Sequence, residues 1–391
     1  MDLIDLPPPP HYFTPEHEAF RHALRQFVTH EIAPHVNDWD EAGTFPRELY
    51  GRAAQLGLLG LGYDEAYGGT PCDIFHHLVL AEEFARAGSG GVQASLFSHS
   101  IGMPPVAAAG GAALKARVLP AVIAGEKIAA LAITEPGGGS DVASLRTTAV
   151  RDGDHYVVNG EKTFITSGVR ADFLTVAVRT DPASKGAGGV SLLLVDGDTP
   201  GLTRTALRKM GWLASDTAHL HFDHCRVPAA NLVGEENRGF ALIMRNFNAE
   251  RLSMSALAYG YAACCLEEAL AWARERRTFG EPLSQRQVIR HKLVDMALRV
   301  EAARNLVYDL AWRLQHQAGD PARLVALTCM AKVEATRAMQ FCADQAVQIL
   351  GGMGFMRGTR SERIYREVKV MMIGGGAEEI MKDLAARQLG I

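Results

Sequence analysis

The sequence predicts an α+β protein in three parts: an N-terminal helical domain over residues 1–127, a middle antiparallel β-barrel or β-sandwich domain over 128–235, and a C-terminal four-helix-bundle domain over 236–391. Apolar residues recur with a helical period in the first and last parts and with a period of two in the middle part. Short strands joined by hairpin turns favour a small antiparallel barrel or sandwich over a nucleotide-binding βαβ unit.

The first helix is predicted to begin at Thr14-Pro15, because threonine is a good N-cap and proline suits the first helical position. Its apolar residues share one face, namely Phe20, Leu24, Phe27, Val28 and Ile32. Further helices are predicted at roughly 46–57, 73–87, 91–101 and 111–124. Residues 1–10 contain four consecutive prolines and are predicted to be an extended lead-in. They lack the basic and apolar regions of a secretion signal.

The middle part is predicted to be a set of short strands with tight turns between them. The strands include 176–178, 190–195 and 219–222, and the turns fall at 152–153, 159–160, 196–197 and 200–201. Long helical patterns return after residue 236, at roughly 237–275, 284–318, 321–350 and 378–389. Pro321 marks the start of the third of these helices.

Composition excludes several classes of protein. The formal net charge is −4, from 40 Lys and Arg against 44 Asp and Glu, so no general positive field attracts nucleic acid or an anionic membrane. No run approaches the eighteen apolar residues that a membrane-spanning helix needs. None of the cysteines has CxxC spacing, and we expect reduced core residues of a cytoplasmic protein. They are Cys72, Cys225, Cys264, Cys265, Cys329 and Cys342.

Histidine clusters in two places, and neither predicts a metal centre. His76, His77 and His99 are expected to be helix-surface or core residues, without a carboxylate partner at a metal-ligand spacing. The other cluster lies on one predicted strand, where alternate residues face the same side: His219, His221 and Asp223, followed by His224 and Cys225. Metal centres usually draw ligands from several elements, so we expect no metal in this protein.

The densest chemistry is in the segment 131–141, whose sequence is LAITEPGGGSD. Three consecutive glycines remove every Cβ that would keep a flat ligand or a phosphate away from the backbone N–H groups. Thr134, Ser140 and Asp141 add short polar side chains at its two ends. In isolation the segment fits a flexible surface loop with a solvated aspartate equally well.

Several separated motifs resemble those of acyl-CoA dehydrogenases, the FAD-dependent flavoproteins that desaturate acyl-CoA thioesters at the α,β position. The resemblance extends over nearly the full length. It rests on 132–141, 162–168, 276–280, Gln287 and 348–355, in the family's order. Phe164 stands where the family more often has tryptophan.

The resemblance implies FAD as cofactor and assigns residues to it: Leu131, Ile133, Thr134, Gly139, Ser140, Phe164, Ile165, Thr166, Arg276, Phe279, Gln287, Gln348, Gly351, Gly352, Ala377 and Glu379. It assigns Ser140, Asn248, Arg251 and Gly376 to substrate binding. Arg276 and Gln287 would serve a neighbouring subunit, which implies a homotetramer or a dimer. Electrons would leave to an electron-transfer flavoprotein, as in fatty acid β-oxidation.

The position of the catalytic base departs from the pattern of many members. They carry a glutamate in a C-terminal Ile-Tyr-Glu-Gly-Thr loop, whereas this sequence has Gly375 there. Long-chain and isovaleryl types use a glutamate in the helix after the β domain, and Glu250 matches that position. The segment 379–382 also matches the long-chain type. We therefore expect Glu250 to take the α-proton and the Gly375 backbone N–H to polarise the thioester carbonyl.

Other interpretations remain open. Glu250 and Arg251 also fit an ordinary surface pair, and Glu378 and Glu379 are rival carboxylates that first-turn capping of a helix explains. The expected product is a trans-2-enoyl-CoA, from a long or branched acyl chain because Gly375 leaves room beside the reacting carbons. The alternatives are an acyl-CoA oxidase or flavin monooxygenase of the same fold and, more remotely, a nucleic-acid-binding protein that uses Arg274, Arg276 and Arg277.

Overall fold

The computed structural model describes Pro9 and residues 11–391, so the predicted lead-in at 1–10 lies outside the described residues except for Pro9. Helices come first along the chain, an eight-stranded sheet follows, and long helices form the last part. This order confirms the predicted α+β class. The limits 1–127, 128–235 and 236–391 remain our proposed division into domains.

The first helix begins where the sequence predicts. In α1 (Pro15–Phe27) the Thr14 hydroxyl accepts a hydrogen bond from the His17 N–H, and His17 Nδ1 accepts one from the Thr14 N–H at 2.9 Å. A π-helical turn continues α1 over Val28–Ile32. The other helices of this part are α2 Val36–Ala42, α3 Glu48–Gln55, α4 Ile74–Ala85, α5 Gly90–Leu96, α6 His99–Gly102, α7 Pro104–Ala109 and α8 Ala112–Ile123.

The predicted helix at 91–101 is wrong in its continuity, because it divides into α5 and α6. The helix breaks at Phe97 and Ser98, where the Ser98 hydroxyl donates to the Ala129 carbonyl at 2.8 Å. A tertiary contact with the sheet therefore replaces continued helix at this point. The short helices α2 and α7 were not predicted.

The sheet comprises β1 Ala129–Ala132, β2 Thr148–Asp152, β3 His155–Thr166, β4 Phe173–Arg179, β5 Val190–Asp196, β6 Leu202–Ala206, β7 Thr217–Pro228 and β8 Leu232–Val233. Its strand order is β6-β7-β3-β2-β4-β5-β8, and β1 pairs with β4. All residues of β4 and β5 except the last of each are buried, so both faces of the centre of the sheet are covered.

Two details of the predicted sheet are wrong. The pair 159–160 is not a turn but lies inside β3, where the register with β7 shifts. Gly160 has a φ of 142°, and a Cβ there would come within 2.7 Å of Thr147 Cα, so glycine is needed for a bulge. The sheet is also not wholly antiparallel, because β1 runs parallel to β4.

The last part is a bundle of long helices. It contains α9 Gly239–Glu275, the hairpin strands β9 Arg277–Thr278 and β10 Glu281–Pro282, α10 Gln287–Gln315, α11 Pro321–Leu350, α12 Gly352–Phe355, α13 Arg360–Ile373 and α14 Glu378–Leu389. The four helices α9, α10, α11 and α13 pack on one another, and α14 packs on α11. The helix α13 was not predicted.

The main hydrophobic core joins the first helices to the bundle. Glu82 of α4 accepts hydrogen bonds from the hydroxyls of Tyr259 and Tyr308, both at 2.5 Å, which ties α4 to α9 and α10. Among the described residues, no helix is long and apolar enough to cross a membrane. The helices and the sheet together enclose the cavity described next.

Candidate active site

A cavity of about 2090 Å³ lies between the first helices, the sheet and the bundle. Its wall includes most of the site residues that the sequence predicts: Leu131, Ile133, Thr134, Gly139, Ser140, Phe164, Ile165, Thr166, Asn248, Glu250, Arg251, Gly375, Gly376 and Ala377. These residues come from four separate stretches of sequence: β1 with the turn after it, β3, α9, and the loop between α13 and α14.

The glycine-rich segment turns directly after β1. The Gly138 N–H donates to the Glu135 carbonyl at 3.1 Å, which closes the predicted turn. Gly139 lines the cavity, has an ordinary backbone conformation, and would place a Cβ no closer than 3.7 Å to Thr134 Cγ2. Neither packing nor backbone strain therefore requires glycine at 139, and the absent side chain leaves the backbone open to a bound molecule.

A buried ion pair holds this turn against β3. Lys162 Nζ lies 2.7 Å from Glu135 Oε1 and donates to the Ile133 carbonyl at 3.0 Å. The same carboxylate accepts the backbone N–H groups of Arg146 and Thr147. Burial lowers the pKa of Lys162 to about 8, although the neighbouring carboxylate acts in the opposite direction. Sequence reasoning did not assign this pair a role in the site.

Phe164 and Thr166 at the end of β3 face the same cavity. Phe164 has a φ of 61° and a side chain that is 70% exposed, which is an unfavourable conformation for an aromatic residue and buries little of it in the protein alone. The hydroxyls of Thr134, Ser140 and Thr166 have no hydrogen-bond partner among the residues that the structure describes. These hydroxyls are therefore available to a ligand.

Glu250 lies in the middle of α9 and forms part of the cavity wall, where it is partly exposed to the interior space. Burial raises the pKa of Glu250 to about 7, against the lowering effects of Arg251 and Lys332. It is thus not the ordinary surface pair with Arg251 that the sequence left open. A carboxylate with such a pKa can accept a proton at neutral pH.

The loop between α13 and α14 lines the same cavity as Glu250. Arg251 Nε donates to the Gly375 carbonyl at 3.1 Å and its guanidinium also donates to Asn248 Oδ1 at 3.0 Å. Gly375 and Gly376 have φ values of 65° and 112°, which favour glycine. The Gly375 N–H has no acceptor within the described part of the chain. The loop therefore presents a backbone donor in place of a carboxylate.

The rival carboxylates occupy different surroundings. Glu378 forms ion pairs with Arg337 and Lys382, and hydrogen bonds from Arg337 and then Lys382 lower its pKa. Glu379 is exposed and is not part of the cavity wall, so its predicted role in cofactor binding remains a prediction. Neither lines the cavity, as Glu250 does.

The remaining predicted cofactor residues lie elsewhere, at one end of the bundle. They are exposed and do not line the cavity: Arg276, Phe279, Gln287, Gln348, Gly351 and Gly352. Lys292 near the start of α10 donates to Gln345 near the end of α11, which places the two stretches side by side. We call these six residues the bundle-end surface. Phe279 is 98% exposed there.

The histidines form contacts that the sequence did not predict. Among the described residues, one group could hold a metal ion, namely His17, Asp73 and His76. The expectation that His76 has no carboxylate partner is wrong, because Asp73 Oδ1 lies 2.8 Å from His76 Nδ1 and 2.9 Å from His17 Nε2. These are the capping contacts of α4, extended to α1. His219 and His221 instead flank Glu161 on an exposed face of the sheet.

Comparison with known proteins accounts for this arrangement. Family models described as the N-terminal, middle and C-terminal domains of acyl-CoA dehydrogenase match residues 14–126, 130–225 and 237–390. A cyclohexane-1-carbonyl-CoA dehydrogenase from Geobacter metallireducens is 37% identical over 94% of this chain and 95% of its own. The mitochondrial long-chain specific acyl-CoA dehydrogenase of Sus scrofa is 36% identical, over 96% and 87%.

A solved structure agrees with the sequence comparison. The crystal structure of acyl-CoA dehydrogenase from Geobacillus kaustophilus has a TM-score of 0.92 and 38% sequence identity, covering 97% of this chain and 99% of that one. The similarity includes all three parts of the fold and therefore the whole cavity.

Proposed function

Because the chain belongs to the acyl-CoA dehydrogenase family, oxidoreductases that use FAD to dehydrogenate acyl-CoA thioesters, we propose that it converts an acyl-CoA to the trans-2-enoyl-CoA with Glu250 as the base. The observation that carries this proposal is the raised pKa of Glu250 in the wall of the cavity, which is also lined by a loop that has no carboxylate. The Cα–H bond breaks and its proton passes to a Glu250 carboxylate oxygen. The electron pair forms the new double bond as the β-hydrogen leaves as hydride.

We propose FAD as the cofactor, because the residues of the cavity suit it. When bound, FAD supplies the two-electron acceptor for the hydride. Thr134 and Thr166 offer unpartnered hydroxyls to its ring, and the exposed face of Phe164 covers apolar surface. The open backbone at Gly139 allows close approach. Together these residues can form hydrogen bonds with the polar edge of the FAD ring and shield its apolar face from solvent.

We propose that the thioester carbonyl accepts a hydrogen bond from the Gly375 N–H. Arg251 holds the Gly375 carbonyl, which fixes the Gly375–Gly376 peptide unit and limits the rotation open to Gly375. A preorganised donor stabilises the negative charge that develops on the carbonyl oxygen as the α-proton leaves. Asn248 and Ser140 also line the wall, where they can contact the substrate.

We propose a long or branched acyl chain. A side chain at Gly375 would meet Met254 of α9, so an apolar side chain and not a carboxylate borders this part of the cavity wall, which suits an apolar acyl chain. The relatives act on different acyl groups, as the names long-chain and cyclohexane-1-carbonyl show.

We propose a homo-oligomer, a tetramer or a dimer, in which the bundle-end surface of one subunit completes the cofactor site of another. The six residues of that surface are exposed in the single chain and lie outside its cavity. Exposed Phe279, Phe355 and Met356 add apolar area that a second copy would cover. We propose that an electron-transfer flavoprotein is the electron acceptor.

We also propose that the protein is cytoplasmic, because its six cysteines are free and the cytoplasm is a reducing compartment.

Anaerobic titration with a panel of acyl-CoA thioesters tests the function. Short, long, branched and cyclic thioesters are added to the FAD-loaded enzyme, and flavin absorbance is followed while mass spectrometry identifies the product. Bleaching with loss of two hydrogens from a long or branched thioester is expected. Absence of bleaching with every thioester would overturn the proposal.

A further inference from the structure

We propose that Lys332, which does not line the cavity, is a positioning residue: its buried ammonium fixes the 374–377 loop and stabilises the ionised form of Glu250. The inference rests on the proposed function and assigns a role to a residue that sequence reasoning did not single out. Lys332 lies on α11, which packs against α9, α13 and α14. It therefore stands between the helix that carries the base and the loop that faces the thioester.

The Lys332 side chain is buried, and its ammonium group forms hydrogen bonds with backbone carbonyl groups. Its side chain is 1% exposed, and Nζ donates to the carbonyl of Gly376 at 2.7 Å and to that of Met372 at 3.2 Å. Met372 is in the last turn of α13, where carbonyl groups carry the negative end of the helix dipole. One ammonium thus joins the end of α13 to the loop that follows it.

The loop needs such external contacts. Three glycines in succession, 374–376, have the greatest conformational freedom of any residues and no side chains to pack. Arg251 holds the Gly375 carbonyl and Lys332 holds the Gly376 carbonyl. Because a peptide unit is planar, fixing these two carbonyls fixes the N–H groups of Gly376 and Ala377 and limits the rotation open to Gly375. Two cations therefore set the direction of the backbone donors.

The charge of Lys332 acts on Glu250 as well. The charged groups that act on Glu250 are Arg251 from its own helix and Lys332 from α11. Those that act on Lys332 are Arg251, Glu250, Cys329 on α11 and Glu378 on α14. Burial lowers the pKa of Lys332 to about 8, and the charge of Glu250 acts in the opposite direction. Its positive charge opposes the rise in the pKa of Glu250 that burial causes.

Packing alone does not explain a lysine at this position. A methionine has a similar length and would fill the same space without a buried charge. A lysine instead supplies a charge that acts on Glu250 and hydrogen bonds that hold the loop. A purely structural lysine would stabilise the fold, but it would have no effect on the pH at which the base ionises.

The test is the pH dependence of anaerobic flavin bleaching in Lys332→Met, measured by stopped flow with saturating acyl-CoA. Loss of the charge is expected to move the midpoint to higher pH by about one unit, the low end of the effect of an opposite charge near a carboxyl group. At pH 6 the rate then falls about tenfold, because the rate follows the ionised fraction of Glu250. Lys332→Arg retains the charge and is expected to keep the midpoint close to that of the original protein.

Arg204→Met is the control, because Arg204 is also a cation that donates to backbone carbonyls, but it lies outside the cavity wall and is not among the groups that act on Glu250. It is expected to leave the midpoint unchanged. If Lys332→Met does not fold, Lys332→Gln carries the same test, since it removes the charge and retains a donor for the Gly376 carbonyl.

An unchanged midpoint in the neutral variant, or an equal shift in Lys332→Arg, would overturn the inference. Failure of the proposed function gives a different result, because the original protein would then show no bleaching at any pH.

Discussion

Met254 occupies the space that a side chain at Gly375 would need. A Cβ built on Gly375 would lie 2.8 Å from Met254 Sδ, closer than real Cβ atoms approach. Met254 comes one helical turn after Glu250 on α9, so the helix that supplies the carboxylate also closes the place of a loop carboxylate. The glutamate in the helix and the glycine in the loop are thus parts of one packing arrangement.

Restoring a loop glutamate is therefore expected to fail. In the Glu250→Gln background, Gly375→Glu should not restore flavin bleaching. The new side chain must displace Met254. The backbone of residue 375 must also keep a left-handed conformation, which costs about 1–2 kcal/mol for a residue other than glycine. Anaerobic stopped-flow rates and thermal unfolding measure the two effects. Adding Met254→Ala removes the steric conflict and serves as the control. Bleaching within tenfold of the original rate by Gly375→Glu alone would contradict the packing argument.

The Lys162–Glu135 pair is expected to support FAD binding. Lys162→Met leaves a buried carboxylate without its cation, and breaking such a pair costs about 3–5 kcal/mol. We expect a lower melting temperature and loss of FAD on gel filtration. Arg226→Met removes an exposed pair with Asp152 on the same sheet and should cost less than about 1 kcal/mol. Full retention of FAD and stability by Lys162→Met would show that the pair does not hold the turn.

We expect the Phe164 ring to shield the cofactor, at a cost in the stability of the protein. Phe164→Gly relieves a left-handed conformation worth about 1–2 kcal/mol and loses little buried surface. The apoprotein should therefore keep or gain stability, while FAD binds more weakly and the reduced flavin reoxidises faster in air. Calorimetry of the apoprotein and oxygen-reaction kinetics check both parts. Rapid reoxidation in the unsubstituted protein would instead favour the oxidase alternative.

The bundle-end surface is expected to serve a neighbouring subunit. Arg276→Ala should weaken FAD binding about tenfold or more, the effect of losing a charge-assisted contact, without changing the stability of the subunit fold. Arg274→Ala, an exposed neighbour, is the control. Hybrids of Arg276→Ala and Glu250→Gln subunits should regain sites with both residues intact, detected as partial bleaching. Hybrids with no more activity than the separate variants would contradict the shared site.

The sequence predicted the long helices and the order of the parts because long, strongly periodic segments determine their own secondary structure. It did not predict α13, although Ile364, Val368 and Met371 are buried at helical spacing, because charged residues share that face: Glu362, Arg363 and Glu367 are buried there too. Asp40 on α2 pairs with Arg363 and Arg366, a partner too distant in sequence to recognise. The charged residues between the apolar ones therefore obscured the helical pattern of this segment.

The sequence also predicted Glu250 and Gly375 as the two halves of the chemistry, but only through family resemblance. Local patterns showed neither the raised pKa of Glu250 nor its cause, because burial depends on the assembled cavity. Lys332 had one local signal, a lysine on a helix face whose other buried residues are uncharged. The turn predicted at Asn159-Gly160 failed since glycine there serves a bulge, which no local pattern distinguishes from a hairpin.

The most direct test is the single-turnover rate of anaerobic flavin bleaching in Glu250→Gln, compared with the original protein from pH 6 to pH 9. We predict a rate lower by about 10²–10⁴-fold, the usual contribution of a general base, with FAD still bound. In the original protein the rate should rise with pH as the Glu250 carboxylate forms, with a midpoint at about pH 7. A rate in Glu250→Gln within about threefold of the original, with the same dependence on pH, would contradict the assignment of Glu250 as the base.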